Sequence, residues 1–308
     1  MNEFELRPLP PFRLTPTVRL LQRRPANRVN VLEDGRFYRV LHAADGPRLA
    51  VAEDVGSVDQ PLVRVSIAGG GLDPAQAAKL RATLADMLGV AVDTAPFFKA
   101  AGEDPRLRTV ATALRGLKPP RFETMFEAIV NSVVFQQITL AAAVTIAGRL
   151  AERYGQTVVL DGRRYYGSAE PAAVAAAPDE ELRSLGLSAR KAQVLRHLAA
   201  LVLSGDLSFA ALRSLPSDEA IRLLDALPGI GRWTAELILL RGLGRLDVFP
   251  SGDVGVRRGL ARLLGQEQPL SADEERPLAA LFGEQRGLLY FLSLGWRLLQ
   301  EGLIEPAD

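Results

Sequence analysis

The segment LPGIGRWTAELILL, residues 227–240, places two glycines between two apolar stretches that both have helical spacing. Proline and glycine end the first helix, and Gly229 and Gly231 allow a tight turn. Because the second helix begins at once, the segment predicts two helices joined by a short hairpin. This feature constrains the fold strongly, since it sets the relative direction of two neighbouring helices.

The hairpin differs from the two common glycine-rich phosphate loops. Thr234 stands where the third glycine of a dinucleotide-binding fingerprint belongs, and the preceding segment is helical. No Gly-Lys-Ser/Thr follows, as a P-loop would require. Two interpretations remain. One is a plain structural corner. The other is a helix-hairpin-helix whose backbone N–H groups and helix N-terminus bind a nucleic-acid phosphate, with Leu227 and Ile230 facing inward. The full string L-P-G-I-G-R-x-T-A favours the second.

Composition excludes several kinds of site. The 308 residues include no cysteine and only 2 histidines, so disulfides, thiolate metal sites and cysteine nucleophiles are excluded. The net charge is +1, so binding of nucleic acid would depend on a local basic patch. No apolar run approaches the roughly 20 residues of a spanning helix, and the N-terminus lacks the pattern of a signal peptide. We expect an unanchored cytoplasmic protein with no membrane partner.

The chain divides into two parts. The first hundred residues contain four short strand-like segments with Asp-Gly turns, RVNVL, RFYRVLHA, RLAVAED and LVRVSIAGGG. A helix bounded by Asp73 and Gly89 follows. From Phe122 onward the signals are almost only helical. We predict an α+β N-terminal domain over residues 1–118, a small antiparallel sheet with a helix. An all-α helix-hairpin-helix domain over residues 119–308 would follow, as one unit or two helical subdomains.

Four stretches carry a resemblance to a known family: FQQ at 135–137, LGLSARKAQVLRHLA at 185–199, LPGIGRWTAE at 227–236 and LDVFPSGD at 246–253. They resemble the helix-hairpin-helix DNA glycosylases, and within them the alkylpurine (3-methyladenine) branch. The α+β region is similar to the extra domain of that branch. The resemblance covers most of the chain. It implies an enzyme of base excision repair that flips a damaged nucleotide out of double-stranded DNA and hydrolyses its glycosidic bond. The enzyme would be a nucleoid-associated monomer. It would need no organic cofactor and no catalytic metal.

Asp253 is the catalytic residue that the resemblance implies. Loss of a base from C1′ builds positive charge on the sugar, and a fixed carboxylate stabilises that charge and positions water. Asp253 also precedes VGVRR, where it could simply cap a helix. Both roles are compatible.

Trp233 indicates the type of reaction. Family members that also cut the strand carry a lysine at this position, whose amine forms a Schiff base that an indole cannot form. The resemblance therefore implies a monofunctional enzyme. An indole also suits a cationic alkylpurine through cation–π attraction of about 1–2 kcal/mol. Tyr290 and Trp296 are implied as further walls of the base pocket. Core packing is the alternative for all three, and Leu237 stands where some relatives have tyrosine.

The resemblance also implies the residues that contact DNA. Gln137 would enter the gap left by the flipped base, and Gln136 would be a DNA-facing or a structural amide. The backbone contacts would come from the LSARKAQ turn and the hairpin: Arg190, Lys191, Gly229, Gly231, Arg232 and Thr234. Each charge alone could be an ordinary solvated one. The carbonyls of Leu227 and Ile230 are candidates to hold a structural monovalent cation.

Two other functions remain open from the sequence. One is a glycosylase of the same superfamily that acts on oxidised or deaminated bases. The other is a non-catalytic protein that binds DNA structures through the hairpin. The presence of Asp253 argues against the second.

Overall fold

The computed structural model describes residues 3–307, and it begins with a five-stranded antiparallel sheet. The strands lie in the order β1-β5-β4-β3-β2, with bounds β1 Glu3–Leu6, β2 Val31–Glu33, β3 Arg36–Leu41, β4 Arg48–Asp54 and β5 Val63–Ala68. The predicted Asp34-Gly35 turn has positive φ at both residues, 47° and 75°, as a two-residue hairpin requires. The four predicted strands are confirmed. The short β1, which pairs Phe4 with Val65, was not predicted.

Two helices pack with this sheet, α1 over Leu14–Gln22 and α2 over Pro74–Leu88. The side chain of Asp73 accepts a hydrogen bond from the Gln76 N–H at 2.8 Å, and Gly89 ends α2 with a φ of 61°. These caps confirm the predicted helix. Helix α1, which was not predicted, also packs against the last helix of the chain.

The rest of the described chain is mostly helical. Its α-helices are α3 Ala95–Glu103, α4 Arg108–Ala113, α5 Met125–Val133, α6 Leu140–Tyr154, α7 Pro171–Ala176, α8 Asp179–Ser184, α9 Ala189–Ser204, α10 Phe209–Arg213, α11 Ser217–Asp225, α12 Arg232–Ile238, α13 Val254–Leu263, α14 Ala272–Ala280 and α15 Leu288–Gln300. A π-helix over Leu239–Leu243 continues α12, and a 3₁₀ turn spans Gly283–Gln285. None of the helices in residues 3–307 is long and apolar enough to cross a bilayer.

The prediction that this part is entirely helical is wrong at one place. Strands β6, Gly155–Leu160, and β7, Arg163–Ala169, form a hairpin that turns at Asp161 and Gly162 with positive φ. An Asp-Gly pair between two β-prone stretches was the signal for it. The ring of Tyr165 stacks on Tyr38 of β3 with centroids 5.1 Å apart. The hairpin therefore joins the helical part to the N-terminal sheet.

Both large hydrophobic cores contain residues from each side of residue 118. One core combines Phe37 of the sheet with Phe126 and Ile238, all buried. The other combines Leu114 with Phe291 of α15. The predicted domain boundary at 118 stays a prediction, since apolar burial does not separate the chain there.

A buried ion pair connects the sheet to α5. The guanidinium of Arg39 is fully buried and donates to both carboxylate oxygens of Glu127, at 2.9 and 2.7 Å, and to Glu123 at 3.0 Å. Removing one partner would leave an uncompensated charge in the interior, a loss of several kcal/mol of stability in such cases. Arg39 therefore fixes α5 on β3.

Glu123 makes stability depend on pH. Burial raises the pKa of Glu123, but a hydrogen bond from His42 and the charge of Arg39 outweigh that effect and lower the pKa from 4.5 to about 2. A carboxyl with a depressed folded pKa stabilises the protein above its unfolded pKa, and this contribution is lost as the pH falls through the folded value. We expect the free energy of unfolding to decline between pH 4.5 and about 2, as urea titrations would measure.

The contribution of Glu123 can be isolated with one matched pair of variants. Glu123→Gln should flatten the decline, because its amide does not titrate. Glu103→Gln, at an exposed position at the end of α3, should retain it. Equal slopes in the two variants would contradict this assignment.

Candidate active site and nucleic-acid interface

The predicted helix-hairpin-helix is present between α11 and α12. Gly229 has a φ of 81°, and a Cβ at this position would lie 2.4 Å from Cγ2 of Val194. Both the left-handed backbone and the close approach of α9 require glycine. Ile230 is buried, and its N–H donates to the Leu227 carbonyl at 3.1 Å, which closes the turn. The hairpin is thus built as the sequence predicted.

Gly231 is glycine for a different reason. Its backbone is extended, with φ −102° and ψ 171°, and an added Cβ would meet no atom within 4 Å. The residue is exposed, and the exposed Arg232 follows it. Nothing within the described protein requires glycine here. The open space in front of Gly231 therefore suits close approach of a group from outside, such as a phosphate.

Gln136 and Lys191, two of the predicted DNA contacts, make hydrogen bonds within the protein. The Gln136 amide donates to the Gly229 carbonyl at 3.1 Å and to the Thr234 hydroxyl at 2.9 Å. The Lys191 ammonium donates to the carbonyls of Val134 and Gln136, at 2.9 and 2.6 Å, and burial lowers its pKa. These bonds hold the FQQ segment against the hairpin. The role of both side chains in contacting DNA stays a prediction.

Gln137 and Arg190 are exposed beside these anchored residues. Gln137 has a φ of 54°, an uncommon conformation for a residue other than glycine. It lies between the end of α5 and the start of α6, next to the exposed Ile138. Arg190 lies in the first turn of α9. The structure leaves both side chains accessible, and their roles stay predictions.

Asp253 and Trp233 lie in direct contact. One Asp253 carboxylate oxygen accepts a hydrogen bond from the Val256 N–H at 2.9 Å, so Asp253 caps α13. The other oxygen accepts a hydrogen bond from the Trp233 indole Nε1 at 3.0 Å. The carboxylate is partly exposed, and the positive end of α13 favours its charge. An oriented anion therefore lies beside the hairpin, since Trp233 follows it directly.

The other predicted pocket aromatics differ in accessibility. Trp296 is half-buried and packs on the same core as Trp233. Tyr290 is only 2% exposed, and its hydroxyl accepts a hydrogen bond from Arg23 at 2.9 Å. Tyr290 therefore offers almost no surface to a base in this conformation, and the role of both side chains as pocket walls stays a prediction.

Arg23 was not predicted at this site. Its guanidinium lies 5.0 Å from the Phe135 ring centroid, and its backbone φ is 58°. No local sequence pattern could have indicated it, because Arg23 reaches Phe135 and Tyr290 only through the packing of α1 on α15.

The groups that could hold a metal are the side chains of the described residues and the hairpin carbonyls. Residues 3–307 contain no group of three or more His, Asp or Glu side chains arranged to hold a metal ion. The Leu227 carbonyl already accepts one hydrogen bond and keeps a second lone pair. The role of the Leu227 and Ile230 carbonyls in holding a cation stays a prediction.

A helix-hairpin-helix next to an oriented, partly exposed carboxylate is typical of a class of protein, the helix-hairpin-helix enzymes that act on DNA bases. Residues 130–282 match the model of the HhH-GPD superfamily of base excision DNA repair proteins. The chain belongs to this superfamily.

Individual relatives agree with this assignment. The DNA-3-methyladenine glycosylase of Bacillus subtilis is 28% identical over 207 residues, which are 67% of this chain and 68% of that protein. DNA-3-methyladenine glycosylase 2 of Escherichia coli is 33% identical over 154 residues, 49% of this chain and 53% of that protein. The structure of the 3-methyladenine DNA-glycosylase from Archaeoglobus fulgidus superposes with a TM-score of 0.81 at 27% identity, covering 97% of this chain and 99% of that one.

Proposed function

We propose that this protein is a monofunctional DNA glycosylase that removes alkylated purines of the 3-methyladenine type from double-stranded DNA. The observation that carries the proposal is the Asp253 carboxylate, held by the Trp233 indole beside the hairpin. The names of the relatives support the substrate class.

The proposed mechanism assigns one step to each of these groups. The hairpin N–H groups and the N-terminus of α12 bind a phosphate of the damaged strand. Gln137 fills the gap in the stack while the damaged nucleotide turns outward. As the glycosidic bond breaks, the Asp253 carboxylate stabilises positive charge on the sugar and orients the attacking water. An N-alkylated purine leaves as a neutral base, so the reaction needs no strong general acid.

Release of free bases tests the proposal. Separate duplexes that carry methylated, oxidised, deaminated or undamaged bases are incubated with the protein, and released bases are separated by chromatography. We expect release from the methylated duplex. Release only from oxidised or deaminated DNA would favour the related glycosylase function. Binding without release from any duplex would indicate a DNA-structure binder.

The protein should leave the strand intact and form no covalent intermediate. Trp233 occupies the position where a lysine would form a Schiff base, and an indole lacks the nucleophilic amine. Borohydride added during turnover should therefore trap no protein–DNA complex on a denaturing gel. An endonuclease III-type enzyme on its own substrate is the positive control. A trapped band from this protein would refute the assignment.

We further propose that the enzyme acts as a monomer without an organic cofactor, and that the carbonyls of Leu227 and Ile230 hold a monovalent cation. Such a cation would supply positive charge next to the bound phosphate. Replacing K⁺ by tetramethylammonium at constant ionic strength should then weaken binding to duplex DNA.

A further inference from the structure

Two buried glutamates hold the turn that precedes Asp253. Glu236 of α12 is 3% exposed and accepts a hydrogen bond from the Ser251 N–H at 3.2 Å. Glu275 of α14 is 1% exposed and accepts one from the Gly252 N–H at 3.2 Å. The two backbone N–H groups directly before the candidate catalytic residue are therefore both bound by buried carboxylates. We call Glu236 and Glu275 the acidic pair.

Burying the acidic pair carries a cost in free energy. Burial raises the pKa of Glu236, and the neighbouring charge of Glu275 raises it further, against the opposing effect of Arg232. One oxygen of Glu275 has no hydrogen-bond partner among the described residues. Burying two carboxylates close together is unfavourable unless partners offset the cost. Sites that keep such groups are frequently functional.

Each member of the acidic pair also binds an arginine. Arg232 of the hairpin donates through Nε to Glu236 at 2.9 Å, and Arg257 of α13 donates through Nε to Glu275 at 3.0 Å. The Arg232 side chain is 66% exposed. Its terminal nitrogens make no hydrogen bond to any residue in the described range, so they remain available to a phosphate.

We propose that Glu236 and Glu275 are positioning residues for the glycosylase reaction: they hold the Ser251–Gly252 turn so that Asp253 faces the flipped nucleotide, and Arg232 links this turn to a bound DNA phosphate. The proposal rests on the proposed function. A continuous chain of contacts supports it: Arg232 donates a hydrogen bond to Glu236, and Glu236 accepts one from the Ser251 N–H. The backbone then leads from Ser251 to Asp253. The indole of Trp233 fixes the same carboxylate from the other side.

Glu236→Gln and Glu275→Gln test the proposal, since both remove charge and keep size. We expect each to slow single-turnover base release by about 10- to 100-fold, as small misplacements of reacting groups do. Affinity for the same duplex should change by less than about threefold in Glu275→Gln, because Glu275 does not hold Arg232. Glu267→Gln, at an exposed position after α13, is the matched control and should behave as wild type.

A double-mutant cycle distinguishes positioning from general damage to the fold. In an Asp253→Asn background, Glu275→Gln should cause no further loss of rate, since it acts through Asp253. An equal loss in that background, or unchanged rates in the single variants, would overturn the proposal.

Amide hydrogen exchange tests the same contacts without any activity. Exchange should rise about tenfold at Ser251 in Glu236→Gln and at Gly252 in Glu275→Gln, with both variants still folded by thermal melting. If wild-type protein releases no base from any duplex, the proposed function fails, whereas the exchange data still report on the turn. If wild type is active and exchange at both amides is unchanged, the positioning role fails.

Discussion

Asp253→Asn is expected to slow base release by about 10²- to 10³-fold, the usual effect of removing one electrostatic contact from a developing charge. The amide keeps an oxygen that can accept the Val256 N–H, so the cap of α13 survives. It carries no negative charge for the sugar. Single-turnover kinetics measure the rate, and thermal melting checks that stability is retained.

A nearby aspartate provides the control for this variant. Asp247 lies in the same LDVFPSGD segment, and Asp247→Asn should release base at the wild-type rate. Near-normal excision by Asp253→Asn would mean that this residue only caps α13, and the catalytic assignment would be abandoned.

Changing each hairpin glycine to alanine should have a different effect: Gly231→Ala should weaken DNA binding, and Gly229→Ala should lower the stability of the fold. Gly231→Ala should fold normally, because its backbone is extended and its Cβ meets nothing within 4 Å. Its methyl group would lie where a phosphate approaches, so DNA affinity should fall about tenfold, or ~1.4 kcal/mol. Fluorescence anisotropy with a labelled duplex measures the affinity.

Gly229→Ala should instead lose stability. A left-handed alanine costs about 1–2 kcal/mol, and its Cβ would lie 2.4 Å from a Val194 methyl group. Adding Val194→Ala should recover the part due to the clash and leave the backbone strain. Equal stability of the two glycine variants in urea titrations would contradict this division of roles.

Local patterns predicted the parts of the fold that depend on neighbouring residues. Asp34-Gly35 marked one strand hairpin, and the cap at Asp73 and the stop at Gly89 bounded α2. The equivalent Asp161-Gly162 pair lies between helical segments, and the prediction of an all-α region missed it. Strand β1 is too short for a pattern, and only pairing with β5 makes it a strand.

The site residues that lie in a sequence motif could be predicted. The contacts between segments that are distant in the sequence could not. The sequence indicated Asp253 and Trp233 separately, and folding places them in one hydrogen bond. Gln136 and Lys191 were predicted as DNA contacts because they lie in motifs, yet their side chains bind the protein's own backbone. A residue in a motif can therefore have a structural role as well as a functional one. Glu275 could not be predicted, since nothing in its helix indicates that it will reach the Gly252 N–H.

The two shared cores have a mechanical consequence. Sheet, hairpin strands and helices bury apolar side chains in common, and Arg39 secures the helix that leads to Gln137. Within residues 3–307, any movement of the sheet relative to the helices would have to expose apolar side chains of these cores to water. We therefore expect the DNA, and not the protein, to supply most of the bending that exposes a nucleotide. Lesions that make the double helix easier to kink would be found first, before any base is read.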